Sequence, residues 1–232
     1  MLIDVNVEMY PDVLKHFPNY NYRTCYTDGV PTLERVDYRR GDNVTGHQQR
    51  AFIMWWAIRA LSTGIVGLEW GGAVSTPGCI DVDKFSDRVN PGTGRSDGHA
   101  PHLVMDACNM YLLGDGKFSV SLSNHVLEHV DNPDAAMSEA VRVLIPGGYL
   151  AHCVPDSSVG PWTYENENHV TAFLPNRSKN LAPYEPALVG DPKRIIYVDE
   201  WTDELCRRHN LELIERDTFQ NNFSINFVLK KV

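Results

Sequence analysis

The chain has 232 residues, of which 43% are hydrophobic, and a formal net charge of −9 at pH 7. This length fits one domain with an added segment, and the apolar content is sufficient for a sizeable core. The negative charge argues against extended nucleic-acid binding, which needs a basic surface. No stretch approaches the roughly 18 apolar residues of a membrane helix, so we expect no membrane span.

The start of the chain and the cysteines indicate a compartment. Residues 1–4 (MLID) lack the basic and apolar regions of a secretory signal. The five cysteines are odd in number and scattered, and no two form a C-x-x-C pair. Two of them, Cys79 and Cys153, fall in expected buried strands. Reduced thiols of this kind are typical of a cytoplasmic protein.

Residues 1–62 are expected to form a helical extension ahead of the core. Residues 1–50 show no strong period, whereas Ala51–Leu61 is apolar on most sides and predicts a buried helix. The Trp55-Trp56 pair within it favours a core position.

Three short strands with polar ends are predicted next. The glycines at positions 71 and 72, between the first two strands, indicate a tight turn and nothing more on their own. Residues 85–101, rich in Gly, Ser, Pro and Asp, indicate a flexible loop before the third. At the end of the third strand, Asp106 could simply cap the following turn. The three strands are Ile65–Trp70, Cys79–Asp83 and His102–Ala107.

The segment from Phe118 to Leu150 contains a strand, a helix and the start of another strand. Residues 118–123 alternate apolar and polar side chains and predict a strand. Residues 131–134 (DNPD) predict a turn and a helix start, and Pro146-Gly147-Gly148 is expected to stop that helix. The helical stripe is expected at Ala135, Val141 and Leu144, and the next strand at Tyr149–Val154.

After this unit, residues 157–198 are rich in Pro, Asn and Tyr. A connection this long is more often a lid or a substrate-binding segment than a plain loop. The last helix is predicted to open at residues 201–204, and the last two strands at Leu211–Asp217 and Phe223–Lys230.

The sequence SNHVLEHV followed by VRVLIPGGYL resembles the class I S-adenosylmethionine-dependent methyltransferases, whose members read SxHVLEHV and ARVLKPGGRL at these places. The resemblance implies a single α/β domain over residues 1–232 with a Rossmann-like, mostly parallel seven-stranded sheet flanked by helices. It implies that the last strand is antiparallel. It also implies an enzyme that transfers a methyl group from S-adenosylmethionine.

The resemblance implies a cofactor site at the ends of the first strands. Residues 69–73 (EWGGA) look like the acidic-x-Gly-x-Gly loop of the family, although Ala73 stands where the second glycine is usual. The short connection PGCIDVD matches a subset of the family in which Asp83, rather than Asp81, accepts from the ribose. Asp106 is implied as the residue that reads the adenine amino group. The complete implied set is Glu69, Gly71, Gly72, Ala73, Asp81, Asp83, Asp106, Ala107 and Asn124.

Residues 125–129 (HVLEH) have three interpretations. On a helix, His125, Glu128 and His129 share one face, and the pattern alone matches an inverted zinc-protease signature, hence a metal-dependent hydrolase. Alternatively, the segment is similar to methyltransferases that bind a divalent metal through E-x-x-E-H and a later histidine, here His169. Imidazole ligands then favour zinc, iron or manganese over magnesium. In the third interpretation these side chains only fix the local fold.

We therefore expect methyl transfer to an oxygen of a small-molecule or sugar-like acceptor. Alignment supplies much of the rate of such a displacement, and a hydroxyl acceptor also needs a base or a metal. His125 and His169 are the candidate catalytic bases. The altered loop at residues 69–73 leaves a non-catalytic binding or scaffold protein as the alternative, because fold does not determine function.

Overall fold

The computed structural model describes residues 22–27, 30–35, 56, 65–71, 78–84, 101–158, 169–181, 192–218 and 224–232. The strands are β1 (Tyr22–Thr27), β2 (Val30–Arg35), β3 (Gly67–Trp70), β4 (Cys79–Asp83), β5 (Leu103–Val104), β6 (Phe118–Asn124), β7 (Leu144–Pro155), β8 (Thr171–Leu174), β9 (Arg194–Tyr197), β10 (Leu211–Thr218) and β11 (Ser224–Lys231). The helices are α1 (Pro133–Val143) and α2 (Val198–His209), with a 3-10 turn at Leu127–His129.

The central element is a seven-stranded sheet with the order β10-β11-β7-β6-β3-β4-β5. The pairs among β7, β6, β3, β4 and β5 are parallel, whereas β11 is antiparallel to both β10 and β7. This arrangement confirms the expected Rossmann-like, mostly parallel sheet with its reversed last strand. It also brings the carboxyl ends of five parallel strands to one edge, where ligands bind in open α/β sheets.

The core lies on both faces of this sheet. One face packs against α1 and α2 through fully buried side chains such as Leu68, Leu150 and Phe227, each 0% exposed. Burying each of these side chains contributes about 1.5–3 kcal/mol. The other face carries a smaller cluster of Trp56, Cys79, Val120, Leu122, Ala151 and Val228. The burial of Cys79 and Cys153 agrees with the expectation for those thiols.

Helix α1 has defined ends. The side chain of Asn132 accepts a hydrogen bond from Ala135 N at 3.3 Å, and Pro133 occupies the first turn, where its missing N–H costs nothing. The helix ends at Val143, before the predicted Pro-Gly-Gly stop, because Leu144 already pairs with Phe118. Its buried positions are Pro133, Ala136, Met137, Ala140, Val141 and Val143, so the stripe predicted from Ala135 was partly wrong.

Several other boundaries differ from the sequence expectation. Residues 22–35 contain the antiparallel pair β1–β2, where a helical extension was expected. Trp56 is helical and 2% exposed, as a core residue should be, while the rest of residues 51–61 lies outside the described part. Helix α2 begins at Val198, three residues before the predicted start, and β5 has only two residues.

The long segment after β7 contains regular structure. Strands β8 and β9 pair in parallel as a separate two-stranded sheet, with every residue of β8 buried. Two hydrogen bonds tie it to the end of β7, from Ser157 N to Phe173 O at 2.8 Å and from Phe173 N to Ser157 Oγ at 3.2 Å. None of the helices formed by the described residues has the length and apolar character of a membrane-spanning segment.

Candidate functional site

The carboxyl ends of β3, β4 and β5 are held together by backbone hydrogen bonds. Gly71 N donates to Val82 O at 2.8 Å, and Met105 N donates to Asp83 O at 2.8 Å. These bonds place Gly71, Asp83 and Asp106 at the same edge of the sheet. The predicted positions therefore converge, and their role in cofactor binding stays a prediction.

Gly71 is required to be glycine for two reasons. Its φ of +55° is a left-handed conformation that L side chains rarely adopt. A Cβ at this position would also lie 2.9 Å from Val126 Cγ2, in the turn that follows β6. The loop after β3 and the turn after β6 are thus in direct contact. Gly72 and Ala73, the rest of the predicted glycine loop, lie outside the described residues.

The three acids of β3 and β4 differ in access to the edge. Glu69 and Asp81 are register partners on neighbouring strands and are 5% and 0% exposed, respectively. Asp83 ends its strand and is partly exposed. Of the two candidates for a ribose contact, Asp83 is therefore the one that an arriving ligand can reach, which favours the ranking made from the sequence.

Asp106 follows β5 and begins a turn. Its Oδ1 accepts from Cys108 N at 2.8 Å, and its Oδ2 lies 3.5 Å from Lys84 Nζ. Partial burial alone would raise the pKa of Asp106, but the hydrogen bond from Cys108 and the charge of Lys84 outweigh it and lower the pKa. Asp106 is thus ionised and caps its own turn, and Ala107 lies within that turn. Its Oδ2 remains able to accept from a ligand.

The chain leaves β6 through a turn, and not through the predicted α-helix. Asn124 ends β6, and His125 adopts φ = +52°, a left-handed conformation uncommon outside glycine. A 3-10 turn follows at Leu127–His129. The HVLEH segment therefore lacks the helix on which a zinc-protease signature depends, and the hydrolase interpretation loses its structural context.

The turn nevertheless gathers four side chains, which we name the imidazole cluster: His125, Glu128, His129 and His169. Glu128 Oε1 lies 3.5 Å from His125 Nδ1 and 3.9 Å from His129 Nε2. The rings of His129 and His169 are 4.5 Å apart between centroids, edge to face. A hydrogen bond of 2.8 Å from Val170 N to Glu128 O fixes the position of His169 beside the turn.

Three members of the cluster have donor atoms close enough together to hold a metal ion. One donor atom from each of Glu128, His129 and His169 lies within 4.8 Å of the other two. His125 does not belong to this group, although it was predicted as a fourth ligand. Its Nε2 instead lies 3.0 Å from Ser224 Oγ, at the start of β11.

The electrostatics of the cluster favour a cation. Glu128 is 1% exposed, and burial raises its pKa to about 8. Neither of its carboxylate oxygens has a hydrogen-bond partner among the described residues. Burial, with smaller effects of His169 and His129, lowers the pKa of His125 to about 3. A buried carboxylate is costly unless a proton or a cation neutralises it, so these residues fit a divalent metal.

No sequence pattern pointed to Ser224. It is 99 positions from His125 along the chain and stands in an ordinary strand pattern. Only the placement of β11 beside β7 brings its hydroxyl to the turn after β6.

Comparison with known proteins finds a family model that matches the middle of the chain. Residues 80–152 match the model of a family described as a methyltransferase domain, which confirms the predicted resemblance over the stretch from β4 into β7. A 37.1 kDa protein in transposon TN4556 of Streptomyces fradiae is 33% identical over 87 residues, which cover 36% of this chain and 25% of that protein. The match thus spans about a quarter of that relative.

Two solved structures with a similar backbone are the following. One is an S-adenosylmethionine-dependent methyltransferase of Thermotoga maritima, 18% identical, with 79% of this chain and 91% of that chain covered and a TM-score of 0.47. Another is the N-methyltransferase NodS of Bradyrhizobium japonicum in complex with S-adenosylhomocysteine, 17% identical, with 82% and 89% covered and a TM-score of 0.45.

Proposed function

We propose that this chain, whose residues 80–152 match the model of a methyltransferase domain, transfers a methyl group from S-adenosylmethionine to an oxygen of a small-molecule or sugar-like acceptor, with the help of a divalent cation. The observation that carries the proposal is the convergence of Glu128, His129 and His169 beside the strand ends that form the expected nucleotide site.

The nucleotide side is supported by the geometry of three strand ends. The backbone at Gly71 has a left-handed conformation and leaves no space for a side chain, because Val126 lies against it. Asp83 and Asp106 present carboxylate oxygens at the same edge, suited to hydroxyl and amino groups of a nucleoside. Asn124 ends β6 and directly precedes His125 of the imidazole cluster. S-adenosylmethionine, when bound, supplies a methyl group activated by its sulfonium.

The acceptor side is supported by the ligand set. Two imidazoles and one carboxylate suit zinc, iron or manganese better than magnesium. Such a cation, when bound, lowers the pKa of an oxygen that it coordinates. A hydroxyl is the acceptor that gains most from this effect, because it is a poor nucleophile when protonated. The cluster is therefore more useful for O-methylation than for transfer to an amine.

His125 has a different part in this proposal. It lies outside the ligand group, and its Nδ1 is 3.5 Å from Glu128 Oε1. Its neutral imidazole is the candidate base, and because burial lowers its pKa to about 3, it can take the proton only from a hydroxyl that the cation has made more acidic. His169, the other candidate base from the sequence, is assigned to the cation.

Calorimetric titration with S-adenosylmethionine and S-adenosylhomocysteine tests the cofactor. We expect both compounds to bind at one site per chain. If neither compound binds, the scaffold alternative is supported instead. The acceptor class is tested by incubating the protein with S-adenosylmethionine carrying a trideuterated methyl group and a small-molecule cell extract, with and without zinc. We expect products labelled on oxygen that depend on zinc. Labelled amines formed equally well with a chelator present would contradict the cation and the acceptor class.

A further inference from the structure

His125 is close in sequence to two of the proposed cation ligands but is not one of them. It is separated from Glu128 by two residues, and its Nδ1 is only 3.5 Å from the carboxylate. Even so, the group of mutually close donors contains Glu128, His129 and His169 and leaves His125 out. A nearby imidazole that is not used as a ligand requires something that restrains it.

Two contacts restrain His125. Its backbone N donates to Cys153 O at 2.9 Å, which holds the residue in its left-handed conformation with φ = +52°. Its Nε2 lies 3.0 Å from the hydroxyl of Ser224, which is 1% exposed. Unfavourable backbone conformations of this kind cost about 1–3 kcal/mol and persist where the surroundings hold them. The restraint comes from β7 and β11, not from the HVLEH segment.

We propose that Ser224 is a positioning residue that keeps His125 out of the cation site. The cation then has three protein ligands, and its remaining positions stay open for oxygen atoms of the acceptor. Four protein ligands close a zinc site and make it structural, whereas three leave the open position that a catalytic site needs. This inference rests on the proposed function, because it concerns the same cation.

A purely structural role for the Ser224 hydroxyl makes a different prediction. If it only satisfies a buried imidazole, its removal lowers stability and leaves the cation site as it was. If it restrains the ring, its removal frees Nε2 and lets His125 join the ligands. The number of imidazoles on the cation separates these two roles.

Cobalt(II) is a suitable probe because its visible spectrum reports coordination and X-ray absorption counts its imidazole ligands. We expect two imidazoles in the wild-type protein and a spectral shift on addition of azide, which occupies an open position. Ser224→Ala should show three imidazoles, bind cobalt about ten-fold more tightly and lose the azide response. Ser224→Thr keeps the hydroxyl and should behave like wild type.

The double variant Ser224→Ala/His125→Ala is the decisive control. We expect it to return to two imidazoles and to recover the azide response, since the added ligand is His125. Three imidazoles in the wild type, or an unchanged cobalt site in Ser224→Ala, would overturn this inference while the cation proposal stands. Failure of the wild type to bind cobalt would overturn both, and binding of S-adenosylhomocysteine would then show whether the methyltransferase proposal survives without a cation.

Discussion

Two acidic residues near the same edge of the sheet, Asp106 and Glu128, differ in their surroundings. Asp106, on the nucleotide side, has a side chain that is 44% exposed, with Lys84 Nζ at 3.5 Å. Glu128, in the imidazole cluster, is 1% exposed, with neither oxygen hydrogen-bonded among the described residues. The first acid keeps its charge in water and can accept from a neutral ligand. The second needs a positive partner before it can hold a charge.

The two regions are in contact although they differ in chemistry. Val126 belongs to the turn of the imidazole cluster, and its Cγ2 lies 2.9 Å from where a Cβ on Gly71 would be. The methyl donor and the acceptor must meet within bonding reach, and such a contact fixes the distance between their two sites. A substitution in one region should therefore change the affinity for one ligand only, whereas a substitution in either region should lower the methyl-transfer activity.

The largest expected effect is on the affinity of the protein for the cation. Glu128→Gln keeps the shape of the side chain and removes its charge, so zinc affinity should fall at least about 100-fold. Binding of S-adenosylhomocysteine should be unchanged, because the nucleotide side does not use Glu128. Calorimetry with each ligand measures both effects, and Glu212→Gln, on the exposed face of β10, is the matched control. Loss of nucleotide binding in Glu128→Gln would break the separation of the two regions.

The next prediction concerns the affinity of the protein for the nucleotide. Asp83→Asn should weaken binding of S-adenosylhomocysteine by about 1–3 kcal/mol, because it removes a charged acceptor for the ribose hydroxyls. Zinc affinity should stay at the wild-type value. Asp81→Asn should weaken nucleotide binding less, since Asp81 is 0% exposed. The reverse order of the two losses, in the same calorimetric assay, would make Asp81 the ribose ligand.

The contact between the regions predicts a loss of stability. Gly71→Ala combines a left-handed φ with a Cβ only 2.9 Å from Val126, and we expect a loss of about 2–3 kcal/mol in the free energy of unfolding. Gly147→Ala, with φ = +79° and nothing within 4 Å of the added Cβ, should lose only about 1 kcal/mol. Urea unfolding measures both. Equal losses would mean that Val126 moves away freely and that the two regions are not tightly packed.

The smallest effect separates two roles of Asp106. Asp106→Asn retains an oxygen that accepts from Cys108 N, so the free energy of unfolding should change by less than about 0.5 kcal/mol. Binding of S-adenosylhomocysteine should nevertheless weaken by about 0.5–1.5 kcal/mol, because the amide is a poorer acceptor. Asp106→Ala should lose stability as well. Wild-type nucleotide affinity in Asp106→Asn would leave Asp106 as a turn residue only.

The strand ends at Gly71 and Asp83 were predictable because their signals are local. The strand predicted at Cys79–Asp83 has the same bounds in the structure, since its polar end marks the sheet edge directly. The alternation at residues 118–123 predicted β6 to within one residue, whereas the strand expected from Tyr149 begins at Leu144 and includes the PGG segment.

The imidazole cluster was only partly predictable because its geometry depends on distant residues. The spacing of His125, Glu128 and His129 indicated an α-helix, and the left-handed backbone at His125 replaces it by a turn. That conformation is held by Cys153 and Ser224, which are 28 and 99 positions away along the chain. His169 was found from a resemblance, and its position depends on a backbone bond to Glu128.

The most direct test of the two-region account is a crystal structure of the protein with S-adenosylhomocysteine and zinc, recorded at the zinc absorption edge. We expect one anomalous peak among Glu128, His129 and His169, with His125 still bonded to Ser224. The nucleoside should lie across the ends of β3, β4 and β5, against Gly71 and Asp83. A nucleoside bound elsewhere, or zinc absent from the imidazole cluster at saturating concentration, would contradict the account.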